Sequence, residues 1–296
     1  MSNFRDNLNN QRQRFIEVFN DTEKLITSNR LLIEATVKSA GLIKVYDHGA
    51  FRENIILPQQ VRFMNNVVVT SHRTFEAARL LKQEFLNSKV AVLNFASATN
   101  PGGGVTRGSS AQEECLCRAS NLYSQLMLYT PSALFYRPNI EAKNPLHDDK
   151  IIYTPEIVVF KTDDKSYTLL PENEWYKVDV ITCAAPNLRE KPNNQFNRDE
   201  GNSAINISKD DLYKLHFSRA QAIVRSAIEN KVDVLVLGAF GCGAFKNDPR
   251  VVAKAYYDIL SIYNQFFKKI EFAVYCNSYE DENYKAFKEQ FGMKGN

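Results

Sequence analysis

Two adjacent glutamates, Glu113 and Glu114, stand shortly after three consecutive glycines, Gly102, Gly103 and Gly104. Carboxylates give and take protons, and bare glycine backbone lets an anion such as phosphate come close to N–H groups. Together they suggest acid/base chemistry on something that carries a phosphate. Three glycines in a row cost backbone entropy and bury no side chain, so a stable fold needs a reason to carry them. A second glycine loop holds Gly238, Gly241 and Gly243 in the run LGAFGCGAFKNDP. Each loop follows an apolar, strand-like run and precedes a helix start, and open α/β sheets bind ligands at the carboxyl ends of their strands. Two cradles at that edge would suit a diphosphate gripped from both sides. The plainer alternatives are tight turns for the glycines and stabilisation of a helix N-terminus for the glutamates. Neither loop has the spacing of a phosphate-binding Walker motif or of a dinucleotide fingerprint.

The adjacency of the glutamates constrains mechanism. Successive side chains on a helix point about 100° apart, so the pair cannot flank one bond as glycosidase carboxylates ~5 to 9 Å apart do. One of them must do most of the proton transfer.

The elements that must position these residues follow from periodicity. Phe4, Leu8, Phe15, Val18 and Phe19 recur at near-helical spacing, and Leu25, Ile26, Leu31, Leu32 and Ile33 continue the pattern. Residues 1–60 are expected to form an accessory helical segment packed on a main domain of residues 61–296. Within the latter, strands are expected at 67–70, 90–95, 157–160, 178–185, 232–238 and 271–276. Helices are expected at 74–85 and 112–129. Another runs from a cap at Ser208 to Asn230, and one starts at Pro249. Residues 187–210 read as a polar loop. Apolar strands interleaved with helices imply a mostly parallel sheet covered on both faces.

Composition excludes more than it specifies. The chain has 296 residues, 44% hydrophobic and 24% charged, with a net charge of +3. That is an ordinary globular composition, too weakly basic to argue for DNA binding. The five cysteines, at 115, 117, 183, 242 and 276, read as reduced, mostly buried thiols. The C-x-C at 115–117 lacks a second pair or nearby histidines for zinc. His48, His72, His147 and His216 are scattered, and no carboxylate cluster suggests magnesium, so no metal or cofactor is expected. With neither a signal peptide nor a membrane span evident, a cytoplasmic protein is expected.

The segment LNFASATNPGGG, a spacer of seven residues and Gln112-Glu113-Glu114 resemble the signature of the poly(ADP-ribose) glycohydrolases, specifically the microbial-type branch of these macrodomain enzymes. TFEAARLL at 74–81, VDVITCAAPN at 178–187 and LGAFGCGAFKNDP at 237–249 resemble that branch in the same order. The likeness covers about residues 60 to 280. It implies a three-layer α/β/α macrodomain-like mixed sheet with an N-terminal helical extension. The activity it implies is that of a glycoside hydrolase cutting ribose–ribose bonds of poly(ADP-ribose), mainly from chain ends, and releasing ADP-ribose. Its substrates would be the polymer or ADP-ribosylated proteins, handled by a monomer without a metal. Glu114 maps onto the family's general acid/base, and Glu113 would orient ribose hydroxyls. Gly102, Gly103, Gly104, Gln112, Gly241, Cys242, Gly243 and Ala244 would line the substrate site, with Phe245 packing on the ribose beside the scissile bond. Asn94, Ser97 and Asn100 could bond ribose or phosphate, although Asn100 before Pro101 could equally be a turn residue. Tyr275 and Tyr279 are candidates for the adenine. Macrodomains commonly offer an acid to the adenine after an early strand, but 71–74 here is Ser-His-Arg-Thr. The alternatives are a hydrolase of single ADP-ribosyl groups on protein or nucleic acid, and a non-catalytic ADP-ribose-binding macrodomain. The intact Gln-Glu-Glu speaks against the latter.

Overall fold

A computed structural model of the chain describes residues 2–52, 64–193, 201–276 and 282–292, with side chains from residue 9 onward. The side chains of Phe4 and Leu8, the expected contact of Tyr279 and part of the 187–210 loop lie outside the described residues. The chain opens with α1 (Ser2–Ser28) and α2 (Arg30–Ala40), the latter capped by Asn29, which accepts from the N–H groups of Leu31 and Leu32. Strands β1 (Lys44–Tyr46) and β2 (Val67–Thr70), helix α3 (Thr74–Glu84) and strand β3 (Val90–Ala96) follow. After the first glycine loop come α4 (Gln112–Ala119), α5 (Leu122–Leu126), α6 (Tyr129–Pro131) and α7 (Arg137–Ala142). The rest alternates: β4 (Ile151–Val159), β5 (Tyr176–Ala184), α8 (Lys209–Glu229), β6 (Val234–Leu237), α9 (Pro249–Tyr263), β7 (Lys269–Ala273) and α10 (Glu282–Gly292).

The seven strands form one mixed sheet in the order β1-β4-β5-β3-β6-β7-β2, parallel from β5 to β2 and antiparallel where β4 meets β1 and β5. Side chains alternate between faces along each strand. Val90 and Val92 of β3 enter a core with residues of α1, α3 and α4, while Ala91 and Leu93 enter another with α8, α9 and α10. Three layers result. β3 is central, paired with β6 on one side and β5 on the other, so the loops leaving β3 and β6 emerge side by side at the carboxyl edge.

Three details depart from the sequence expectations. The helix expected over 112–129 breaks at Ser120, whose backbone is extended. Ser120 Oγ donates back to the Leu116 carbonyl at 2.8 Å, and Asn121 Oδ1 accepts from the Val158 N–H at 2.9 Å. These short polar side chains give the backbone a partner outside the helix, and the chain swings over to β4. β4 itself begins at Ile151 rather than 157, with a register shift after Thr154 that Pro155 hides from a search for unbroken apolar runs. Within residues 1–60, the segment 44–46 is an edge strand of the sheet rather than helix.

Candidate active site

Glu113 and Glu114 occupy the first turn of α4, a helix of two turns that a side-chain staple holds to the sheet. β3 pairs with β6 only over Val90–Val92, yet pairs with β5 as far as Ala96. Beyond residue 92 its free edge is satisfied by Gln112. The Gln112 Oε1 accepts from the Phe95 N–H at 2.9 Å, and its Nε2 donates to the Leu93 carbonyl at 2.7 Å and to Thr74 Oγ1 at 3.0 Å. Gln112 thus lines the cavity, but its amide is committed to fixing the start of α4.

Glu113 and Glu114 are both buried, at 2% and 7% exposure. Glu113 accepts from the Ser97 N–H at 2.8 Å and from Asn94 Nδ2 at 3.3 Å. Glu114 Oε1 accepts from the Gly104 N–H at 2.8 Å, while its Oε2 has no hydrogen-bond partner among the described residues. Burial pushes the Glu113 carboxyl well above its ordinary range, against the Ser97 N–H, and the neighbouring Glu114 charge adds to the rise. Burial also raises Glu114, partly offset by the Gly104 N–H. Gly103, at φ +59°, is the meeting point: a Cβ there would lie 2.5 Å from Glu114 Oε1 and 3.2 Å from Glu113 Oε2. The two carboxyl groups therefore converge on one side of the loop rather than flanking a gap.

This alters the expected role of the first glycine loop. The Gly104 N–H meets Glu114, and that of Gly103 meets the Asn100 carbonyl at 2.9 Å. The Tyr123 ring fills the space where a Gly102 Cβ would stand, 2.6 Å away. Gly102, Gly104, Asn94 and Asn100 stand behind the cavity wall; Asn100 gives its N–H to Ser97 Oγ at 3.1 Å. The loop cradles carboxylates.

The second loop is built differently. Asn247 Nδ2 donates to the Pro186 and Gly241 carbonyls at 2.7 and 3.0 Å, and its Oδ1 meets His216 Nε2 at 2.9 Å. Burial drives the His216 pKa down to about 3, so the ring is neutral. The N–H groups of Gly243, Ala244 and Phe245 meet no acceptor among the described residues, and a Cβ on Gly243 would have nothing within 4 Å. Cys242 turns away, its thiol directed at the Phe240 carbonyl at 3.7 Å.

Between the loops lies a cavity of about 440 Å³. Glu113, Glu114, Gly103 and Ser97 line one part of its wall; Gly241, Gly243, Ala244 and Phe245 line another. Sequence reasoning missed Arg189, whose Nε donates to the Ala244 carbonyl at 2.5 Å and whose guanidinium lies 5.2 Å from the Phe245 ring. It also missed Arg73, stacked 4.2 Å over Tyr275, and Asp163, whose carboxylate accepts from the Phe75 N–H at 2.8 Å beside Arg73. All three line the cavity. Asp163 comes from the loop after β4, so no spacing rule near residues 71–74 could have found it. Among the described residues no group of three or more metal-ligating side chains is gathered, and no helix is long and apolar enough to cross a membrane. The five cysteines are unpaired.

Comparison with known proteins agrees with this geometry. Residues 10–162 match the family described as microbial-type PARG, catalytic domain. The fold resembles the poly(ADP-ribose) glycohydrolase of Thermomonospora curvata bound to the inhibitor ADP-HPD, at TM-score 0.78 and 26% identity over 94% of this chain and 100% of that one. It also resembles the Deinococcus radiodurans enzyme in complex with ADP-ribose, at TM-score 0.69 and 30% identity over 87% and 97% of the two chains. No curated protein matches the sequence. With its two glycine loops on one cavity and a buried glutamate pair in the wall, the chain belongs to the microbial-type poly(ADP-ribose) glycohydrolase family and is a glycoside hydrolase.

Proposed function

We propose that the enzyme removes ADP-ribose units from the ends of poly(ADP-ribose), with Glu114 as the single general acid and base. The observation that carries this reading is the state of the Glu114 carboxyl: buried, raised in pKa, one oxygen held by Gly104 and the other unpartnered. A carboxyl that keeps its proton to higher pH than an ordinary glutamate is suited to protonate the departing 2′-oxygen of the neighbouring ribose. As that bond breaks, an oxocarbenium ion forms at the anomeric carbon; Glu114, now a carboxylate, accepts a proton from the attacking water. Glu113, held by the Ser97 N–H and Asn94 Nδ2, orients the ribose hydroxyls. The diphosphate lies along the N–H groups of 243–245 with Arg189 beside it, and Phe245 packs on the ribose. The roles assigned to Glu113 and Glu114 call on no metal, and the activity is expected to persist in EDTA.

A cavity of about 440 Å³ suits one ADP-ribose unit held by most of its surface. A chain end enters such a site without threading the polymer, so ADP-ribose should appear from the first time point. The unit joined directly to protein lacks the neighbouring ribose whose oxygen Glu114 protonates, and should remain. A time course on end-labelled polymer, run beside mono-ADP-ribosylated protein, tests both statements. Early medium-length fragments would reveal internal cutting. Efficient stripping of the mono-modified protein would favour the mono-ADP-ribosyl hydrolase.

A further inference from the structure

Helix α1 lies against the back of the first glycine loop and of α4. A Cβ on Gly108, in the turn that closes the first glycine loop, would collide with the Arg12 carbonyl oxygen of α1 and lie 2.9 Å from its carbon. Phe19 packs edge-on against Tyr123 at 4.9 Å, and Tyr123 is the ring that backs Gly102. The strongest contact is to Arg118, in the last turn of α4, one helical turn beyond Glu114. Arg118 is fully buried, its guanidinium between the rings of Phe15 and Tyr167 at 4.5 and 5.1 Å. Its Nη1 donates to the Ser109 carbonyl at 2.7 Å, tying α4 to the loop before it. Its own carbonyl accepts from Thr22 Oγ1 of α1 at 2.6 Å. Lys161, 2% exposed, reinforces the contact by donating to Val18, Asp21 and Thr22 at 3.2, 2.7 and 2.8 Å.

A helix of two turns is marginal by itself, and here its first turn must hold two carboxyl groups in buried, fixed positions. We infer that Arg118 is a positioning residue for Glu114, and that the N-terminal helix contributes to catalysis by clamping it through Phe15 and Thr22. The inference rests on the proposed role of Glu114. The second glycine loop, which makes no part of this clamp, leaves ADP-ribose binding largely independent of it. Turnover and binding should therefore separate.

The test uses the full chain with Thr22→Val, Arg118→Lys and, from the loop side, Gly108→Ala. Thr22→Ser serves as the conservative restoration. The kcat and KM on poly(ADP-ribose), the ADP-ribose Kd by calorimetry and the Tm are measured for each. The clamp predicts kcat lower by about 10- to 100-fold, Kd within about threefold of wild type, a Tm above the assay temperature, and recovery in Thr22→Ser. In a Glu114→Gln background the same substitutions should lower the residual rate by less than about twofold, because a misplaced group cannot be lost twice. Parallel loss of binding and kcat, losses that multiply with Glu114→Gln, or an unchanged kcat would each overturn the clamp. A Glu114→Gln enzyme near wild-type rate would overturn the role of Glu114 instead, while the split between kcat and Kd in the single variants would still judge the clamp.

Discussion

The two glycine loops leave neighbouring strands, β3 and β6, at the same edge of the sheet, and they use glycine for opposite purposes. In the first, the missing side chain at Gly103 makes room for protein: Glu114 and Glu113 occupy the space a Cβ would need, and the Gly104 N–H already holds a carboxylate. In the second, Gly243 opens onto empty space and the N–H groups of 243–245 meet no acceptor among the described residues. One loop is filled by its own acids and the other is open, which supports the proposal that it takes the diphosphate. Glycine richness alone does not mark a phosphate cradle. What marks it is where the N–H groups go.

Substitutions sharpen that division. The largest effect is expected from Glu114→Gln, which keeps the side-chain size but removes the transferable proton. Turnover on poly(ADP-ribose) should fall by about 100-fold or more while the ADP-ribose Kd stays within a few-fold. Retention of more than about a tenth of the rate would put the general acid elsewhere. Next comes Gly103→Ala, where a methyl group would press on Glu114 and the positive φ adds about 1–2 kcal/mol of strain. Its kcat should drop by about tenfold or more with a fall in Tm and little change in Kd. Gly243→Val should do the reverse, because its side chain enters open space: ADP-ribose affinity weakens by about tenfold with Tm held. If the two glycine variants gave the same pattern, the division between the loops would be wrong.

The sequence made the candidate site legible and much of its support illegible. Gly102–Gly104 with Glu113 and Glu114 could be found because their types and spacing are unusual, and Ser208 and Pro249 marked helix starts as local capping rules say. The break at Ser120 was hidden because its cause is a tertiary partner, the edge of β4, reached by Asn121 across 37 residues of sequence. Arg73, Asp163 and Arg189 come from three separate connections, and nothing in their local sequence distinguishes them from surface charges. Asn247 and His216 reveal their purpose only as a pair across 31 residues. Periodicity detects α1 as a helix, but it cannot detect that Phe15 ends against Arg118.

The smallest expected effect concerns the filled loop alone and is read in stability. Folding raises the Glu113 carboxyl above its ordinary pKa of 4.5, chiefly by burial. A group that holds its proton more tightly when folded favours folding most below its unfolded pKa, and that contribution disappears as pH rises through the raised value. Above that value the fold must either carry a buried charge beside Glu114 or retain a proton the solvent would remove. Glu113→Gln cannot ionise, so it loses this dependence, although the raised Glu114 keeps a share of it. Thermal melts from pH 4.5 to 8 should show the wild-type Tm declining relative to that of Glu113→Gln by a few degrees, about 1 kcal/mol for a domain of this size. Any constant offset from the altered hydrogen bonds to Ser97 and Asn94 cancels in the trend. The matching substitution in the open loop, Gly243→Val, should leave the pH trend as in wild type, since a Cβ there has nothing within 4 Å. A wild-type Tm that rises with pH relative to Glu113→Gln would mean that the Ser97 and Asn94 contacts outweigh burial and that the glutamate is already ionised in the fold.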